Sequence, residues 1–139
     1  MTRKTVSLFS LVVFGLALTG AAQMPIFKRY YIADIPGLAW LNDFYFTHVL
    51  HYVLAAALLF MLAERAGRAL AGRSVRLTTG RALLLALWAL LIVSGFARLA
   101  KNLPGVFLGP GLVQTVDLAH LGAAILLGLA ALAARTLRR

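Results

Sequence analysis

The chain has 139 residues, 62% of them apolar, with a mean hydropathy of +0.89 and a net charge of +10. A soluble domain is about 45–50% apolar, so an excess arranged in long uncharged runs points to an integral membrane protein. The absence of cysteine excludes disulfides, thiolate metal sites and cysteine-ligated iron–sulfur clusters. The basic residues stand at the ends of apolar runs and are not interleaved with aromatics, which speaks against a nucleic-acid groove.

A bilayer-crossing helix needs roughly 17–25 mostly apolar residues, and four stretches qualify. The first covers about 6–24 and is stopped by Pro25. Arg3, Lys4 and the small-residue stretch Thr19-Gly20-Ala21-Ala22 also give it the form of a cleavable leader; we read it as a retained span. The second covers about 44–63, between Asp43 and Glu64, and the third about 82–97, between Arg81 and Arg98. The third is short, but arginine stems reach back to the interface. The fourth covers about 112–134 and is ended by Arg135. The expected fold is therefore an all-α integral membrane protein, a four-transmembrane-helix bundle in a single domain, 1–139.

Charge sets the expected orientation. Arg3, Lys4, Arg65, Arg68, Arg73, Arg76, Arg81, Arg135, Arg138 and Arg139 fall on one side, against Lys28, Arg29, Arg98 and Lys101 on the other. The positive-inside rule places both termini in the cytoplasm and the multi-pass chain in the inner membrane. Trp40, Tyr30, Tyr31, Tyr45 and Phe107 then form an aromatic belt at the periplasmic interface. The outer loops KRYYIADIPGLAWLND and RLAKNLPGVFLGPG are apolar enough to pack on something, either a partner subunit or the bilayer itself through a short interfacial helix.

The two halves of the chain share a pattern. LALTG (Leu16–Gly20) before Pro25 is matched by LIVSG (Leu91–Gly95) before Pro104, each with a hydroxyl residue preceding glycine. HVLHYVLAAALL (His48–Leu59) is matched by DLAHLGAAILLG (Asp117–Gly128), which pairs His51 with His120 and His48 with Asp117. His51 lies eight residues past Asp43, and His120 eight past Leu112. At about 1.5 Å per residue, each histidine sits about 12 Å into its helix. Two hairpins related by an axis along the membrane normal would bring the imidazoles face to face.

Ionisable residues inside a membrane usually face a site, and neutral imidazole is a good ligand for haem iron. The arrangement suggests one bis-histidine haem b with His51 and His120 as axial ligands, and with Gly20 and Gly95 admitting its edge. Arg98 and Lys101, or Lys28 and Arg29, are candidates for the anionic haem propionates. His48 and Asp117 are candidates for a proton relay or a quinone contact, and His48 is an alternative to His51 as the iron ligand. Two other readings stay open: histidines that merely satisfy buried hydrogen bonds, and a non-haem metal site of three histidines with Asp117.

FTHVLHY (46–52) and VDLAHLG (116–122), on the second and fourth of four helices, resemble the cytochrome b membrane subunits of formate dehydrogenases and nickel–iron hydrogenases. The resemblance implies a haem b anchor that passes electrons between a peripheral redox module and the quinone pool, menaquinone or ubiquinone. Those subunits usually carry two haems, the inner one taking a ligand from the first helix. Here the first span has no histidine, and three histidines cannot ligate two bis-histidine haems. Met24 and Met61 have no setting that recommends them as ligands. One haem near the outer face is what the resemblance leaves.

The expected function is thus a haem b membrane-anchor subunit of a multi-subunit oxidoreductase, an electron-transfer component rather than an enzyme alone. It would link a partner on the periplasmic face to the quinone pool. The alternative is a cofactor-free membrane anchor or assembly subunit of a larger complex. A transporter is disfavoured because the spans carry no further buried polar residues and no visibly broken helix. Glu64, four residues before Arg68, reads as half of an ion pair.

Overall fold

Apolar runs of this length have only one way to satisfy their backbone in hydrocarbon without a closed barrel, and that is the helix. The computed structural model describes residues 3–24, 34–72 and 78–136. Within them lie four α-helices: α1 (Arg3–Ala22), α2 (Phe44–Ala71), α3 (Thr79–Ala100) and α4 (Pro110–Thr136). The 3-10 turn Ala39–Asn42 leads into α2. Three helices, α2, α3 and α4, are long and apolar enough to cross a membrane, whereas the apolar run of α1, Leu8–Ala22, is shorter. The described residues are those of an all-helical, multi-pass type of membrane protein.

The helices outlast the apolar runs because charge does not end a helix, whereas capping does. α2 continues past Glu64, which pairs with Arg68 at 3.1 Å one turn on. It stops where the Gly72 N–H donates to the Arg68 carbonyl at 3.1 Å. At its start, the Asp43 carboxylate accepts from the Phe46 N–H at 2.9 Å. α3 opens on the Thr78 hydroxyl, which accepts from the Arg81 N–H at 3.4 Å. It therefore begins before Arg81, and it runs on past Arg98. α4 begins at Pro110, where a missing N–H costs nothing.

The chain divides into two units, Met1–Val75 and Arg76–Arg139, each a helix hairpin. In the first, α1 packs along α2, and in the second α3 packs along α4. In the first hairpin the 3-10 turn folds Leu41, 1% exposed, onto Ala22 at the end of α1, with Leu18 and Leu38 alongside. The described part of that loop thus packs on its own hairpin, and Trp40 meets the Phe46 ring edge-on at 5.9 Å. In the second hairpin, the segment between α3 and α4 turns at Gly105, φ +81°, and leaves Phe107 89% exposed.

Few side chains in either hairpin are fully buried, while Phe14, Val53, Phe60, Val93 and Leu129 are exposed. Such faces suit lipid or further helices rather than water. What each hairpin does bury is informative: besides Val12, Leu58 and Ala123, it buries the hydroxyls of Thr19, Thr47 and Ser94. All three donate to the carbonyl four residues earlier, Gly15, Asp43 and Leu90, at 2.8, 2.9 and 2.6 Å.

Candidate functional site

A hydroxyl that donates to its own helix still has lone pairs, and in α1 that spare capacity meets a histidine. Thr19 Oγ1 lies 2.8 Å from the Gly15 oxygen and 2.8 Å from Nδ1 of His51 on α2. Its single hydrogen goes to a carbonyl, because carbonyls only accept. His51 Nδ1–H is therefore the donor to Thr19. Gly20, next in sequence, lies against the ring: a Cβ there would stand 3.4 Å from His51 Cε1.

The second hairpin repeats the device. Ser94 Oγ donates to the Leu90 carbonyl and lies 3.1 Å from Nδ1 of His120 on α4. The Leu91 carbonyl oxygen is also 3.1 Å from that nitrogen. It can only accept, so His120 too is protonated on Nδ1. A Cβ on Gly95 would stand 3.2 Å from His120 Cε1. Thr19-Gly20 with His51 and Ser94-Gly95 with His120 are thus one motif built twice. In both, Nδ1 carries a proton, and the neutral form of such a ring has its lone pair on Nε2, the form in which imidazole binds a metal.

The correspondence continues one turn toward the loop end of each hairpin. Three residues after Gly20 comes Gln23, and three after Gly95 comes Arg98. His48 Nδ1 donates to Gln23 Oε1 at 3.1 Å. In the matching place, Arg98 Nε donates to Asp117 Oδ1 at 3.0 Å, and Lys101 Nζ lies 3.1 Å from both Asp117 oxygens. One hairpin has a neutral pair where the other has a carboxylate held between two cations. His48 is also stacked on Phe44 at 5.3 Å, with Tyr52 edge-on at 4.5 Å.

Of the residues expected at a site, the structure brings Gly20 to His51, Gly95 to His120, and Arg98 and Lys101 to Asp117. Within each hairpin the glycine makes room for the imidazole itself. Lys28 and Arg29 lie outside the described residues. Among the described residues, no three His, Asp or Glu side chains gather as a metal-binding group. Met61 lines an open apolar groove of about 290 Å³ between α1 and α2, with Leu8, Val12, Ala57, Phe60 and Glu64. Thr19, Ser94 and Gln23 were not foreseen as contacts. The hydroxyl–glycine pairs were visible in sequence, and the position three residues beyond each glycine would have found Gln23.

Fold and geometry together define a class, a helical membrane-type protein made of two hairpins, each with a histidine hydrogen-bonded through Nδ1 to a hydroxyl of the neighbouring helix. No protein-family model, curated protein or solved structure matches the chain.

Proposed function

We propose that the chain is the haem b membrane subunit of a quinone-linked oxidoreductase, each hairpin supplying one axial imidazole. In this reading all four helices span the inner membrane, both termini are cytoplasmic, and a redox partner docks on the periplasmic face. Haem b, when bound, would supply reversible one-electron chemistry.

The observation that carries the reading is the orientation of His51 and His120 through Nδ1. Histidines that bind metals nearly always donate their other ring N–H to a carbonyl, carboxylate or comparable acceptor, which holds the tautomer and the ring angle. Thr19 does this for His51, and Leu91 with Ser94 does it for His120. A hydroxyl, a glycine and a histidine come together in the same way in both hairpins. Arg98 and Lys101, held against one carboxylate, leave one positive charge in excess for an anionic haem propionate. The chain's own work is to hold both rings in the metal-binding tautomer, exclude water with apolar helix faces, and offer His48 and Asp117 for protons at the loop end.

The same ion cluster favours the second reading, a cofactor-free anchor or assembly subunit, since Asp117 gives both cations a partner without any ligand. A reduced-minus-oxidised visible spectrum with a pyridine haemochrome assay separates the two. About one b haem per chain, lost in His51→Ala and in His120→Ala, supports the subunit reading. A folded protein, produced with haem available, that carries none leaves the anchor.

A further inference from the structure

A buried amide N–H without a partner is uncommon in folded proteins, and each instance asks for an explanation. Gln23 has one. Its Oε1 accepts from His48, but Nε2 is buried and has no partner among the described residues. The backbone does not use the side chain, since the Gln23 N–H donates to the Gly20 carbonyl at 3.3 Å. Packing alone would be served by leucine, without the cost of desolvating an unused donor.

The second hairpin sharpens the contrast. At the position of Gln23 it has Arg98, and at the position of His48 it has Asp117, and these close on each other as an ion pair. There the polar groups at this level satisfy each other. In the first hairpin a neutral donor is left over, one turn from the His51 ring and beside the aromatic run Phe44, His48 and Tyr52. A neutral N–H in apolar surroundings selects an uncharged or delocalised oxygen acceptor, and ring surfaces select a flat molecule.

We propose that Gln23 is a ligand-binding residue, its Nε2 donating a hydrogen bond to an acceptor oxygen of a redox ligand seated beside His48. The oxygen belongs either to a quinone carbonyl or to a haem carboxylate; both are C–O acceptors and both follow from the function proposed above, on which this assignment rests. His48, donating to Oε1, holds the amide so that Nε2 is presented to the ligand.

The test uses the full chain in detergent, with Gln23→Leu and Gln23→Glu. The glutamate keeps an acceptor for His48, replaces the N–H donor with a second oxygen and, when ionised, adds a negative charge, whereas the leucine removes the donor without adding charge. The probes are 2,3-dimethyl-1,4-naphthoquinone and decyl-ubiquinone, read by titration, together with haem content and haem midpoint potential. If a quinone is the source, both variants bind at least one probe about tenfold more weakly than the parent. If a haem carboxylate is the source, the potential shifts and haem is lost more readily, with probe affinity unchanged. Parent-like values for both quinones and for the haem overturn the proposal. Because Gln23 and Gln114 are the only glutamines, labelling glutamine with ¹⁵N gives a readout free of any variant. The Gln23 side-chain amide shifts when the ligand is present and Gln114 does not; an unmoved Gln23 amide also overturns the proposal. A haem-free parent that binds a naphthoquinone through Gln23 would remove the haem reading and leave this assignment standing.

Discussion

His120 Nδ1 lies 3.1 Å from the main-chain oxygen of Leu91 on the facing helix, a partner that no side-chain substitution removes. His51, its counterpart, meets the Thr19 hydroxyl at 2.8 Å in the matching role. The two histidine devices are alike in form, and the main-chain contact of His120 makes a difference that can be measured.

Thr19→Val keeps the shape and removes the acceptor of His51 Nδ1–H. A buried donor left without its partner costs about 1–3 kcal/mol, and loss of an outer hydrogen bond to a ligating histidine typically lowers metal affinity about 10–100-fold. Ser94→Ala leaves Leu91 in place, so its cost stays below about 1 kcal/mol. Thermal unfolding in detergent and retained haem per chain should both rank Thr19→Val as the more damaging change. Equal effects would remove the backbone bond from the account.

Gly20→Ala and Gly95→Ala separate helix stability from ring placement. Alanine gains about 1 kcal/mol over glycine in a helix interior. Its methyl group would stand 3.4 Å from His51 Cε1, the edge of ordinary contact, but 3.2 Å from His120 Cε1, where the ring must give by a few tenths of an ångström. Both variants should fold at least as well as the parent by circular dichroism. Both should show altered haem retention, Gly95→Ala more so because its contact is tighter.

The repeat can also be tested through packing. Gly15 sits against Leu54, whose Cδ1 would be 2.8 Å from a Cβ there. The corresponding residues of the second hairpin are Leu90 and Ala123, with large and small exchanged, and Ala123 is 1% exposed. Gly15→Leu alone overpacks the seam, at about 1–3 kcal/mol, and Leu54→Ala alone leaves a cavity worth about 2–5 kcal/mol. The double variant should cost less than the two together, by about 0.5–3 kcal/mol of coupling. Simple additivity in thermal unfolding would argue against equivalent seams.

Asp117→Asn tests the ion cluster. The Asp117 side chain is 39% exposed and those of Arg98 and Lys101 are 33% and 23%, so the carboxylate contributes about 0–1 kcal/mol. The difference from the parent should shrink between low and 1 M salt as screening grows. If Asp117 also relays protons, quinol oxidation in the assembled complex falls well beyond what so small a stability change allows. Unchanged turnover would confine Asp117 to its ion pairs.

How much of this was legible beforehand depends on range. Helix existence, the all-helical class and the matching sequence positions of His51 and His120 in their hairpins follow from local pattern, because the 3.6-residue period and uninterrupted apolar runs are properties of single segments. The Glu64–Arg68 pair is equally local. Helix ends were less legible: Glu64 and Arg98 interrupt hydropathy without interrupting backbone hydrogen bonds, and the true stop at Gly72 is a matter of geometry.

What the sequence by itself determined, then, is the repeat: hydroxyl–glycine on one helix, histidine on the next, twice. What only the tertiary structure decided is which atoms meet. The register between two helices places Thr19 against His51 and Ser94 against His120, and turns both glycines into seats for the imidazoles. It also joins Asp117 to Arg98 and Lys101, and leaves Gln23 holding His48 with a donor to spare. Such contacts are set by the packing of one helix face on another, which depends on the sum of many small apolar fits along the whole seam. No short stretch of the chain carries that sum.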